Sequence, residues 1–270
     1  MDVPILWQFT SSHFNEKARW ALDFKRIPHI RNSLIPGFHI AVIKPLTGQT
    51  QVPVVKLNGT VICGSGAIID ALERAYPEPS LYPADEAERR RALELQTYFD
   101  EELGPYIRRW VFFMARDNPE FVREAFASHA SAPTRLANRM MSPLIRPLMR
   151  RLMDITPESS EAAHRKMLEA MDRLEHELRP SGYLVGDRFT VADLTAAALL
   201  SPLARPPQFP YRPDLALPEP IAAVRNQLES RPAMQWTLQI YRQHRGASAE
   251  VSPAADVARH ATRRNPVESD

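Results

Sequence analysis

Leu6-Trp-Gln-Phe-Thr-Ser-Ser-His-Phe-Asn-Glu-Lys-Ala-Arg-Trp-Ala-Leu-Asp23 reads as a strand that ends at a polar elbow and runs at once into a helix. Val3, Ile5, Leu6, Trp7 and Phe9 form an apolar, β-prone run. Thr10, Ser11 and Ser12 stop it with capping chemistry, and Phe14, Ala18, Ala21 and Leu22 then recur at helical spacing. Ser12 therefore stands at the start of a helix. Free backbone N–H groups and the positive end of the dipole favour an anion there, and a thiolate is such an anion. The plainer role of Ser12 is an N-cap, and the two roles are compatible.

Outward from this stretch, Ile27 to Ile35 reads as a second strand ended by Pro36-Gly37. Phe38 to Thr50 fits either a short helix or an irregular segment. Gln51 to Cys63 holds two β-branched runs around Asn58-Gly59, the dipeptide of a tight hairpin, and Pro53 stands where a strand begins. Ala67, Ile68, Ala71 and Leu72 make a helical stripe that Ser65 is placed to cap. Cys63, the sole cysteine, reads as a buried inert residue, with reactivity beside the Ser65 helix start as the alternative.

Pro77 to Pro83 is a linker by composition, and strand signals nearly vanish beyond it. Glu86 to Met114 reads as a long amphipathic helix broken at Gly104-Pro105. Tyr106, Trp110 and Phe113 are candidates for core or for the wall of an apolar pocket. Pro133 to Met153 holds four methionines, five arginines and no acid. A basic amphipathic segment of this kind suits a membrane surface, a lid over a pocket or ordinary packing, and Pro143 and Pro147 predict an interrupted helix, which weighs against the membrane. Glu161 to Leu178 is a further amphipathic helix. Thr190-x-x-Asp193 forms a capping box before the apolar run Leu194 to Leu200. Seven prolines between Pro202 and Pro220 predict an irregular crossing, followed by helices over Glu219 to Leu228 and Pro232 to His244. Residues 246–270 read as a disordered tail.

The 270 residues are 44% hydrophobic and 24% charged, the composition of a globular protein with ample core. A net charge of +2 gives no footprint for nucleic acid, and one cysteine excludes an internal disulfide or a CxxC centre. The histidines show no metal-ligand spacing and no Gly-rich phosphate loop is present. The N-terminus lacks a signal-peptide pattern, so a cytoplasmic location is expected.

Ser12-His-Phe-Asn-Glu-Lys-Ala-Arg19 resembles the Cys-Pro-x-Cys-x-Lys/Arg-x-Arg opening of thioredoxin-like glutathione transferases and glutaredoxins, with Ser12 on the first cysteine and Asn15 on the second. Gly182-Tyr-Leu-Val-Gly-Asp-Arg-Phe-Thr-Val-Ala-Asp-Leu194 resembles the core motif of the glutathione transferase helical domain. The likeness covers residues 1 to about 245. It implies an α/β thioredoxin-like N-terminal domain with a mixed four-stranded sheet (1–77), then an all-α helical bundle domain (84–245). It implies glutathione as co-substrate and a homodimer. By the same resemblance Ser12 supports the glutathione thiolate, with Ser11 as fallback donor. Val52, before a cis Pro53, pairs its main chain with the cysteinyl part. Ser65 and its helix start hold the γ-glutamyl carboxylate. Gly64 stands where that motif carries an acid, and a missing partner for the glutathione amine costs about 1.5–3 kcal/mol.

The implied activity is a glutathione S-transferase-like attack of the thiolate on an apolar electrophile held by the helical half. Disulfide exchange is disfavoured, since Ser12 and Asn15 replace both cysteines. A binding protein for a bulky hydrophobic ligand on the same fold stays open as the alternative.

Overall fold

The computed structural model describes residues 2–127, 130, 132–212 and 215–252. Strand β1 (Ile5–Gln8) feeds helix α1 (His13–Phe24), and β2 (Ile30–Ser33) returns beside β1. Helix α2 (Ile40–Thr47) precedes β3 (Val54–Leu57), β4 (Thr60–Cys63) and α3 (Ser65–Ala75). The strand order is β2-β1-β3-β4, with β2 parallel to β1 and the remaining pairs antiparallel. This is the mixed thioredoxin-like sheet. Asn58 and Gly59 take φ of 49° and 84°, which turns the β3–β4 hairpin in the hand that matches strand twist. Strand β2 is shorter than its apolar run because the Ile27 N–H closes α1 on the Leu22 carbonyl and Pro28 has no N–H to offer a ladder.

The second half is helical: α4 (Glu86–Glu102), α5 (Gly104–Met114), α6 (Pro119–Ala127), α7 (Ala132–Leu152), α8 (Pro157–Glu177), α9 (Val191–Ala204), α10 (Glu219–Leu228) and α11 (Pro232–His244). The break between α4 and α5 falls at Gly104-Pro105, with Pro105 in the first turn, where a missing N–H is harmless. Helix α9 is the centre. It packs against α1, α4, α5 and α11, and Leu194, Leu199, Leu200 and Leu203 are fully buried. Each such leucine contributes about 1.5–3 kcal/mol. Asp193 accepts from the Thr190 N–H and hydroxyl, and from the Leu184 N–H, which fixes the helix start and the preceding loop together.

Two expectations change. Helix α7 runs unbroken through Pro143 and Pro147. Both prolines are exposed, so the helix forgoes only the bonds to the carbonyls of Arg139 and Pro143, which water can satisfy. The tail is placed as far as residue 252, which corrects the disordered reading over 246–252. The Val251 N–H bonds to the His29 carbonyl, and the Ala249 N–H bonds to the Asp23 carboxylate. Residues 253–270 lie outside the described residues. Just before this strap, Arg245 bridges Glu16 at 2.7 Å and Asp23 at 2.9 Å. Burial opposes the Asp23 charge, but Arg245 and Arg31 outweigh it and hold that carboxyl below its ordinary pKa. The strap thereby locks the back of α1, the helix whose front end carries Ser12.

Candidate active site

Ser12 is the N-cap of α1, with φ −76° and ψ 127°, and its Oγ accepts from the Asn15 N–H at 3.4 Å. The capping role uses the oxygen as acceptor and leaves the hydroxyl proton to donate elsewhere. The turn that carries Ser11 and Ser12 is held from behind. Arg19, fully buried, donates to the Phe9 and Thr10 carbonyls at 3.1 and 3.0 Å, to Gln8 Oε1 and to Glu16 Oε2. The Thr10 hydroxyl ties the same turn to the Ala125 carbonyl of α6.

A cavity of about 1450 Å³ opens in front of this turn. Ser11, Ser12, Val52, Gly64 and Ser65 all line it. The Val52–Pro53 bond is cis, as the resemblance implied, and Pro53 stands behind the wall rather than in it. The Val52 main chain makes no hydrogen bond among the described residues, so its N–H and C=O stay unused at a residue that lines the cavity. Ser65 is the first residue of α3 and not its cap. Gly64 holds that position at φ 88°, a conformation that L side chains rarely adopt. The missing acid thus has a backbone counterpart: glycine relaxes a turn that a glutamate would strain.

A carboxylate stands nearby on another element. Asp100 of α4 lines the cavity; its Oδ2 pairs with the fully buried Lys17 at 2.6 Å, and its Oδ1 is buried with no partner. A Cβ on Gly66 would lie 3.7 Å from Asp100 Oδ2 and 3.3 Å from Gln96 Nε2, so both side chains stand over the start of α3. Sequence reasoning missed Asp100, which reads as one more charge on the polar side of a long helix. Cys63, expected to be buried, is exposed and lines the cavity.

The opposite wall is aromatic and cationic. Phe9 and Phe112 each meet Phe126, with ring centroids 5.7 and 6.1 Å apart. Of the α5 aromatics, candidates for core or wall, Trp110 is core, fully buried against His164, and Tyr106 and Phe113 do not line the cavity. Arg108, Val111 and Phe112 do so instead. Arg108 has no hydrogen bond or ion pair among the described residues and lies 6.0 Å from the Phe14 ring centroid. Desolvation and then Arg109 lower its pKa. His13 marks the seam. Its Nε2 donates to the Gly104 carbonyl at 2.9 Å, and burial, then Arg108, push its pKa down to about 3. A Cβ on Gly104 would come within 2.3 Å of the Phe14 ring, so only glycine lets α5 approach α1 this closely. Among the described residues no group of acids, histidines and cysteine could hold a metal ion.

Residues 6–80 match the family described as glutathione S-transferase, N-terminal domain, and residues 137–232 match glutathione S-transferase, C-terminal domain. With the fold and the shared cavity, these matches place the chain in the glutathione S-transferase superfamily, which uses glutathione as co-substrate. A maleylpyruvate isomerase from Ralstonia is 29% identical over 130 residues, 47% of this chain and 58% of that protein. A probable maleylacetoacetate isomerase from Drosophila melanogaster is 28% identical over 98 residues, 34% of this chain and 40% of that protein. The chain therefore spans about half the length of these relatives. Among solved structures, a β-etherase from Sphingobium aligns with a TM-score of 0.58 at 23% identity, covering 88% of this chain and 99% of that one. A glutathione S-transferase from Pseudomonas fluorescens aligns with a TM-score of 0.60 at 18% identity, covering 92% and 99%. These likenesses establish the fold. No helix among the described residues is long and apolar enough to cross a membrane.

Proposed function

We propose that the protein is a glutathione-dependent transferase in which Ser12 and the start of α1 stabilise a thiolate for attack on an electrophile with an apolar body. The observation that carries this reading is the convergence on one cavity of the Ser12 hydroxyl, the unused Val52 main chain and the start of α3, opposite an aromatic wall. Glutathione supplies the thiol. Val52 binds its middle through main-chain groups, Ser65 and the α3 start take the γ-glutamyl carboxylate, and the Asp100 carboxylate takes the amine that Gly64 leaves unserved.

The energetics suffice. Lowering a thiol pKa by two units requires about 2.7 kcal/mol. One hydroxyl hydrogen bond to the charge contributes about 1.5–3 kcal/mol, and a helix end about 0.3–1 kcal/mol. His13 is too weak a base at pKa about 3 to take the thiol proton, which leaves to solvent through the open mouth. Arg108, a guanidinium in the opposite wall without an ion pair among the described residues, offsets negative charge as it develops on the electrophile. The relatives' names differ, an isomerase and a β-etherase, so the choice of electrophile belongs to this chain's own helical wall.

The test is steady-state turnover with glutathione and 1-chloro-2,4-dinitrobenzene as probe. Ser12→Ala should lower kcat about 100-fold while the KM for glutathione stays within about twofold. An unchanged kcat would remove Ser12 from the chemistry. Absence of turnover in the unaltered protein would favour the carrier.

A further inference from the structure

The outer face of α7 carries a row of large apolar side chains that the fold leaves bare. Leu136, Met140, Leu144, Leu148 and Leu152 recur at every fourth position and are between 56% and 73% exposed. Four residues advance a helix by about 400°, so the row drifts about 40° per step and winds about 160° around α7, from the outer side at Leu136 to the cavity side at Leu152. The inner face behaves as a packed helix should. Asn138 and Ser142 are buried, and Ile145 closes on Gly37, where a Cβ would meet it at 2.6 Å. A helix that faces only water carries polar residues on its outer side, and α7 inverts that rule.

The charge around the ridge is of one sign. Helix α7 has five arginines and no acid. Arg135 is spent on Glu124, and Arg146 on the Arg116 carbonyl. Arg139, Arg150 and Arg151 are exposed, and their side chains have no hydrogen bond or ion pair among the described residues.

We propose that this face docks on an anionic phospholipid surface, with α7 lying in the plane of the bilayer interface. Three features favour lipid over a second copy of the chain. A two-fold contact would set α7 against itself, arginine against arginine, with no carboxylate on the helix to separate them. Apolar ridge plus unpaired arginines is the composition that partitions into headgroups. The ridge is also continuous with the cavity: Leu152, its last member, lines the cavity together with Met149 and Met153. Docking through the ridge therefore opens an apolar route from the bilayer to the aromatic wall. Phe38, Ile40 and Val42 of the α2 region, between 42% and 43% exposed, follow directly on Gly37, which packs against Ile145 of α7. Pro143 and Pro147, which argued against a membrane helix, leave α7 continuous and stand on its exposed side.

The experiment is co-sedimentation of the full chain with phosphatidylcholine vesicles, with and without roughly 30% phosphatidylglycerol. The expected result is binding to the anionic vesicles, little to the neutral ones, and release at about 0.5 M salt. Leu144→Glu with Leu148→Glu, both on the exposed ridge, should reduce partitioning at least tenfold while circular dichroism and glutathione titration stay unchanged. Arg139→Gln and Arg150→Gln, which leave the ridge intact, should each weaken it about fivefold. No binding to anionic vesicles, equal binding to both kinds, or unchanged binding of the glutamate and glutamine variants would overturn the proposal. So would an oligomer that dissociates on Leu144→Glu with Leu148→Glu in the absence of lipid, which would assign the face to a second copy.

Discussion

The two walls of the cavity are built on different principles. The N-terminal wall uses main-chain groups and two small side chains: the starts of α1 and α3, the Val52 peptide, and the hydroxyls of Ser12 and Ser65. Every one of these is placed at a strand or helix terminus, and the buried Arg19 fork and Arg245 brace the Ser12 turn and α1 from behind. The helical wall uses long side chains, Phe112, Phe126, Arg108 and Met149, on helices α5, α6 and α7. A wall of main chain suits one invariant ligand. A wall of side chains changes with a few substitutions and suits a ligand that differs from one relative to the next.

Acid should act on two buried histidines, His13 at the junction of the two walls and His29 under the C-terminal strap. His13 and His29 are neutral when folded, their pKa values pushed down to about 3 and about 4 by burial and then by Arg108 and Arg31. The unfolded chain binds protons at both sites below about pH 6.5, so stability falls as pH drops from 7 to 5, by about 2 kcal/mol for each histidine. Asp193 works in the opposite sense. Burial pushes it up to about 6, so the same change in pH returns about 1 kcal/mol. These three groups together should cost about 3 kcal/mol between pH 7 and pH 5 in urea titrations, and a flat profile would contradict neutral buried histidines.

Arg108→Met probes the helical wall alone. On the proposed role, in which Arg108 offsets charge on the electrophile, it should lower kcat about tenfold with 1-chloro-2,4-dinitrobenzene and leave glutathione affinity unchanged. Loss of glutathione affinity of the same size would move Arg108 to the other wall.

Gly64→Ala probes the main-chain wall. No atom lies within 4 Å of the added Cβ, so the cost is backbone strain at φ 88°, about 1 kcal/mol in a thermal or urea melt. A neutral result would show that the α3 start adjusts without penalty.

The legibility of the sequence divides along the same line. The elbow at Ser12, the Asn58-Gly59 hairpin and the Thr190–Asp193 box are local signals, written in residues that bond to their own backbone, and each holds in the structure. The cysteine was misread because apolar neighbours do not reveal that Cys63 ends an edge strand at the mouth of a cavity. Asp100 and Arg108 were invisible for a related reason. Helical periodicity separates buried from exposed positions, but a cavity is neither, and a charged residue facing one looks like any solvated charge. The strap of 246–252 escaped because its order comes from Asp23 and His29, more than two hundred residues away, and not from its own composition.

Calorimetric titration of the full chain with glutathione tests the central claim most directly. Saturable binding with a Kd below about 1 mM, roughly 4 kcal/mol, is predicted, because Asp100 and the relaxed turn at Gly64 together replace the missing acid. No heat and no thermal stabilisation at about 10 mM glutathione would contradict it, and would leave the cavity to an apolar ligand alone.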